Sequence, residues 1–153
     1  MLSGMGRDQM KADFSSQSLQ PADAILIWSD LQFMAVLTNL ELGSNRFGND
    51  GAKAITEALK VNAVLTVLWL GDNNISVDGA KAIAEALKVN TVVTELELGG
   101  NEIGDEGAKA IAEALKVNAV LNNLGLLNNN LGDAGKTAVQ DAVKDRSGYV
   151  LEL

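Results

Sequence analysis

Four side chains invite a chemical reading by type and spacing: Glu41, Glu95, Glu97 and the indole of Trp69. Glu41, Trp69 and Glu97 follow one another at intervals of 28 residues, and Glu95 lies two before Glu97. Paired carboxylates about 6.5–9.5 Å apart suit an inverting glycosidase, and closer pairs a retaining one. The sequence shows no loop insertion to wall a pocket around them, no evident cause for a shifted pKa and no oxyanion donors. They are expected to be solvated surface carboxylates, and no residue is assigned a catalytic role. The chain contains no His and no Cys, which excludes His general-base chemistry, Cys nucleophiles, disulfides and zinc sites built from those residues. Asn49-Asp50-Gly51 and Asp105-Glu106-Gly107 carry oxygen ligands, but the full calcium-loop pattern is missing. They are expected to be helix starts, so neither a metal nor a cofactor is implied. Gly43, Gly71 and Gly99 share the same 28-residue interval and do not form a phosphate-binding glycine fingerprint.

That interval governs the whole chain. GAKAITEALKVN at 51–62 returns as GAKAIAEALKVN at 79–90 and again at 107–118. Self-similarity at a fixed period of this length marks a solenoid. Each unit changes its hydrophobic rhythm once. Leu37-x-x-Leu40-x-Leu42 alternates as a short strand does, whereas Ile55, Ala58 and Leu59 fall on one face of a helix. Lys53, Glu57 and Lys60 fall on the other, with Lys53 and Glu57 spaced as i,i+4 neighbours. Asp50, Asp78 and Glu106 stand where a helix dipole favours negative charge. Gly51, Gly79, Gly107 and Gly135 sit in the first helical turn and are expected to permit close packing of the strand-to-helix corner. Asn62, Asn90 and Asn118 are expected to end their helices in a left-handed conformation.

The units also share the pattern L-x-x-L-x-L-x-x-N-x-L/I, as LTNLELGSNRF, LTVLWLGDNNI, VTELELGGNEI and LNNLGLLNNNL. This resembles the leucine-rich repeat family. The 28-residue unit with its GAKAIAEAL helix is similar to the ribonuclease-inhibitor-like subtype, which also occurs in NOD-like receptor recognition regions and in Ran GTPase-activating proteins. The resemblance covers 37–146 fully and the ends in part. It implies an α/β fold: a right-handed solenoid arc with a parallel β-sheet on the concave side and α-helices on the convex side. Physical spacing agrees, because strands stack at about 4.8 Å while helix axes need roughly 8–10 Å. The asparagines Asn45, Asn73, Asn101 and Asn129 then turn the chain out of each strand and are expected to form an internal structural ladder, since an amide offers both donor and acceptor.

The motif also fixes the solvent side of the sheet. Asn39, Val67 and Glu95 precede the middle Leu, Glu41, Trp69 and Glu97 follow it, and Asp72 lies beyond at the strand exit. These seven are the candidate partner-binding residues. An exposed Trp among acids suggests a protein or peptide partner of basic or mixed charge; the alternative is that Trp69 lies flat over Val67 as a packing residue. The net charge of −8 argues against nucleic-acid or anionic-membrane partners. No apolar run approaches the roughly 20 residues of a membrane span, and the N-terminus lacks the apolar region of a secretory signal. A cytoplasmic setting is therefore expected, with the sequon at Asn74 unused.

The chain divides into 1–36, an N-terminal segment with a degenerate capping repeat; 37–148, four 28-residue repeats; and 149–153, a terminal strand. Residues 1–10 are expected to be mobile, Pro21 to Phe33 to form the capping helix, and Leu151-Glu152-Leu153 to sit one residue short of the 28-residue register. The function implied is a non-catalytic protein-interaction module. The alternatives are an architectural or self-associating solenoid joined through its C-terminal strand edge, a fragment of a larger receptor array, or a regulator of a small GTPase.

Overall fold

The computed structural model describes residues 6, 8–31 and 33–153. The mobility expected for 1–10 falls largely on residues outside that set. Among the described residues strands and helices alternate: β1 Lys11–Asp13, α1 Pro21–Leu31, β2 Asn39–Glu41, α2 Gly48–Leu59, β3 Val67–Trp69, α3 Val77–Leu87, β4 Glu95–Glu97, α4 Gly104–Leu115, β5 Asn123–Gly125, α5 Asp133–Val143 and β6 Val150–Glu152. The six strands form one parallel sheet in sequence order. Ala12, Leu40, Leu68, Leu96, Leu124 and Leu151 occupy equivalent register positions, so the last step is 27 residues. Neighbouring helices pack against one another behind the sheet.

The core lies between the layers. Leu40, Leu68, Leu96 and Leu124 point inward from the strands, and Ile55, Ile83, Ile111 and Val139 meet them from the helices, each fully or almost fully buried. Strand side chains alternate in direction, so the residues on either side of the middle Leu are turned to the opposite, solvent face.

Three details depart from the sequence-based expectations. The first helix stops at Leu31, and Phe33 belongs to a turn. Phe33 stands one period before Val61, which likewise lies beyond the end of its helix, so the degenerate unit keeps the helix length of the others. Glu57 pairs with Lys60 at 2.5 Å, an i,i+3 pair repeated as Glu85–Lys88 and Glu113–Lys116, rather than with Lys53. The asparagines after the helices are not left-handed, since none is among the residues with positive φ. Their side chains act instead. Asn118 Oδ1 accepts from Val120 N and Leu121 N, and its Nδ2 donates to Leu87 O and Asn90 O of the preceding unit. Asn90 binds Leu59 O, Val92 N and Val93 N in the same way.

The helix-start glycines face the neighbouring helix as well as their own corner. A Cβ on Gly107 would stand 2.9 Å from Ala80 Cβ on α3 and 2.6 Å from Ile103 Cγ2. The entry into the helices also comes in two alternating forms. α2 and α4 begin at Gly48 and Gly104, both with positive φ, whereas before α3 and α5 the positive φ falls on Asn74 and Asn130. The second form is capped from the preceding unit. Asn49 Oδ1 accepts from Ser76 N and Gly79 N at the start of α3, and Asp105 Oδ1 from Gly132 N and Gly135 N at the start of α5.

Candidate functional site: the solvent face of the sheet

Each strand contributes two side chains to this face. Asn39, Val67 and Glu95 align across β2, β3 and β4, as do Glu41, Trp69 and Glu97. The sheet register therefore brings six of the seven candidate residues together, and Asp72 stands just beyond β3. Trp69 is 40% exposed. Its indole Nε1 donates to Glu95 Oε1 at 2.8 Å in a solvent-exposed hydrogen bond.

The three glutamates are unlike one another. Glu41 forms an ion pair with Lys11 at 2.6 Å, and that contact raises the Lys11 pKa. Glu95 accepts from the indole. Glu97 folds down onto the sheet, where Oε1 accepts from Gly99 N at 2.6 Å. It lies over Gly125 so closely that any Cβ there would overlap the carboxylate, and a Cβ on Gly99 would come within 2.5 Å of Oε1. Burial raises the Glu97 pKa; the Gly99 N–H opposes the shift, while the charges of Glu152, Glu95 and Asp72 add to it.

Asp72 takes a left-handed conformation at φ 54. Its carboxylate lies over Gly100, again where a Cβ would overlap it. Between these groups lies an open depression of ≈ 420 Å³, lined by Trp69, Asp72 and Glu97 with Gly71, Gly99 and Leu127 among others. The arrangement offers carboxylate acceptors and an aromatic face on a glycine floor. That chemistry accepts cations and hydrogen-bond donors and supports stacking.

Sequence reasoning missed Lys11, because it belongs to the degenerate unit, and missed the Glu97 burial, because Gly125 appears as a mere substitution in the repeat. One period alignment would have exposed a third omission. Arg146 stands one period after Asn118, and Tyr149 one period after Leu121. Arg146 donates from Nη1 to Asn118 O at 3.1 Å and from Nη2 to Leu121 O, and its guanidinium stacks 4.6 Å from the centre of the Tyr149 ring.

The asparagines of the motif sit beneath the strand exits. Asn101 Nδ2 donates to Leu98 O in its own unit and Leu70 O in the one before, and its Oδ1 accepts from Asn73 N and Ile75 N. Asn45, Asn73 and Asn129 also bind backbone groups of their own and the preceding unit. All four are buried.

A family model described as "Leucine Rich repeat" matches residues 34–55, 61–84 and 89–112. The solenoid has the leucine-rich-repeat fold, and the matched stretches are similar to that family's repeat unit. Among solved structures, "Leiomodin-1 Actin-Binding Site 2 (ABS2)" superposes with a TM-score of 0.81 at 25% identity, over 94% of this chain and 83% of that one. A tropomodulin C-terminal domain from Caenorhabditis elegans superposes with a TM-score of 0.77 at 12% identity, over 94% and 87% respectively, and this likeness is one of fold. No curated protein matches the chain by sequence. Among the described residues no helix is long and apolar enough to cross a membrane.

Proposed function

We propose that the chain is a non-catalytic protein-recognition module of the ribonuclease-inhibitor-like leucine-rich-repeat subtype, and that it binds a protein or peptide on the solvent face of its sheet. The observation that carries this reading is Trp69. Equivalent strand positions hold Glu41, Glu97 and Gly125, so the fold does not require an aromatic there. Exposed Trp is over-represented among residues that dominate binding energy. Its indole is hydrogen-bonded to Glu95. Asp72, Glu95 and Glu97 around it favour a partner of basic or mixed charge.

The test is capture from a native lysate by the immobilised chain and by its Trp69→Ala and Glu95→Gln variants. Trp69→Ala is expected to weaken the specific partner by about 2 kcal/mol or more while leaving the urea midpoint nearly unchanged. Equal capture by the parent chain and the Trp69→Ala variant, or a loss of stability with binding retained, rejects the assignment of Trp69 to an interface.

A second reading makes actin the partner. It is supported by the likeness to a structure described as an actin-binding site, at 25% identity over nearly the whole chain. Co-sedimentation with filamentous actin and titration against monomeric actin test it directly; no binding to either form rejects actin and leaves the first reading standing.

A further inference from the structure

Two departures from the repeat converge on one depression of the sheet face. After the last leucine of the strand motif the units hold Gly43, Gly71 and Gly99, and then Leu127. After the middle leucine they hold Glu41, Glu97 and Gly125, and Trp69 stands among them. The sister units show that the fold requires neither apolar side chain. Trp69 is 40% exposed and Leu127 45%. Both line the open depression of ≈ 420 Å³ at the strand exits, and Gly99 and Gly100 from the unit between them form part of its floor.

The charge of the depression is one-sided. Asp72 and Glu97 line it, and Glu95 is bonded to the Trp69 indole. Among the described residues no cation pairs with any of these three carboxylates. Lys11 is taken up by Glu41, on the opposite side of β3. Glu97 is half-buried and feels the charges of Glu152, Glu95 and Asp72. An occupant suited to this place is apolar along its length, cationic at its end and flat enough to lie on a floor without side chains. Basic side chains pack their stems on apolar walls while their heads reach charged acceptors. Trp69 narrows the choice. Its N–H already donates to Glu95, so the ring offers its face. A planar guanidinium stacks on an aromatic face and forks to more than one carboxylate, whereas an ammonium acts as a point charge. A neutral apolar side chain would strip water from the carboxylates and replace it with nothing.

We propose that this depression takes one arginine side chain of the partner, with its methylenes on Leu127 and its guanidinium between the Trp69 ring and the carboxylates of Asp72 and Glu97. The proposal rests on the sheet-face reading and gives it a residue to recognise.

The test uses the full chain carrying Trp28→Phe, so that Trp69 is the sole tryptophan. Its emission is followed against capped Gly-Arg-Gly, Gly-Lys-Gly and Gly-citrulline-Gly, the last having nearly the shape of arginine without its charge. A saturable change in the millimolar range is expected with the arginine peptide, one weaker by about fivefold or more with lysine, and none with citrulline. Leu127→Gly restores the residue of the sister units, and Asp72→Asn suits the left-handed turn. Each is expected to raise the arginine dissociation constant by about fivefold or more, while Glu41→Gln leaves it unchanged. No saturation with the arginine peptide, an equal response to citrulline, or unchanged binding in both Leu127→Gly and Asp72→Asn would overturn the assignment. If Trp28→Phe does not fold, the amide shifts of Gly99 and Gly100 in the unsubstituted chain give the same reading. The two levels separate cleanly. Capture from lysate that depends on Trp69 without any arginine binding overturns the arginine slot alone, and arginine binding with capture indifferent to Trp69 supports the slot and removes the sheet-face reading.

Discussion

At the scale of single residues, two side chains are held at some cost to the fold. Glu97 is a half-buried carboxylate whose pKa is raised above the ordinary 4.5, by burial first and by neighbouring carboxylates after it. The folded state thus holds its proton to higher pH than the unfolded state does. Below the unfolded value both states are protonated and the penalty is absent; it develops as pH rises from there through the folded value and persists above it. Glu97→Gln keeps an oxygen for Gly99 N and removes the charge. Its urea midpoint should exceed that of the parent at pH 7, and the difference should vanish below about pH 4. The second residue is Tyr149. Its hydroxyl is buried with no hydrogen-bond partner among the described residues. Burial pushes its pKa up to about 12, against the opposing charge of Arg146. An unpaired buried hydroxyl costs roughly 1–3 kcal/mol, so Tyr149→Phe should leave stability unchanged or raise it by about 1 kcal/mol, as measured by urea unfolding.

At the scale of elements, neighbouring units complete one another. α3 and α5 lack caps of their own and receive them from Asn49 and Asp105. A lost N-cap costs about 1 kcal/mol. Asp105→Ala should therefore destabilise the chain by that amount, although Asp105 lies in α4. Its mark should be faster amide hydrogen exchange at Gly132 and Gly135, at the start of α5, than in α4 itself. Exchange that rises only within α4 would show the carboxylate serving its own helix. The helix-start glycines belong to the same scale. Their small size lets α4 approach α3 to within the reach of Ala80, and that approach keeps consecutive helices in contact behind the more closely spaced strands.

For the molecule as a whole, stability in a solenoid is the sum of each unit and its contacts with the next. Two rows of asparagine amides, one under the strand exits and one at the helix exits, tie those units together through backbone hydrogen bonds. Asn101 lies midway along the first row. Asn101→Ala strips Asn73 N and Ile75 N of their acceptor and Leu70 O and Leu98 O of a donor. It should cost roughly 1–3 kcal/mol, felt across the second and third units alike, whereas exposed Lys81→Ala should fall within about 0.5 kcal/mol. Equal urea midpoints would remove the ladder from the account of stability.

The period, the strand and helix within each unit and the faces they bury were legible in the residues alone, because those depend on spacing along the chain and the repeat prints the same spacing several times. The sharing of one row by Glu41, Trp69 and Glu97 was legible too, since parallel strands one period apart must align them. Interactions between units emerged only from the packed solenoid, because there a side chain answers to a neighbour remote in sequence. Glu95 binds the indole of Trp69, Lys11 neutralises Glu41, and Glu97 lies down because Gly125 on the next strand leaves room. Asn62, Asn90 and Asn118 were expected to bend the backbone, but a bend is the local solution for an asparagine after a helix. Stacked units provide backbone partners at every step, and Asn90 and Asn118 bind across to the unit before them.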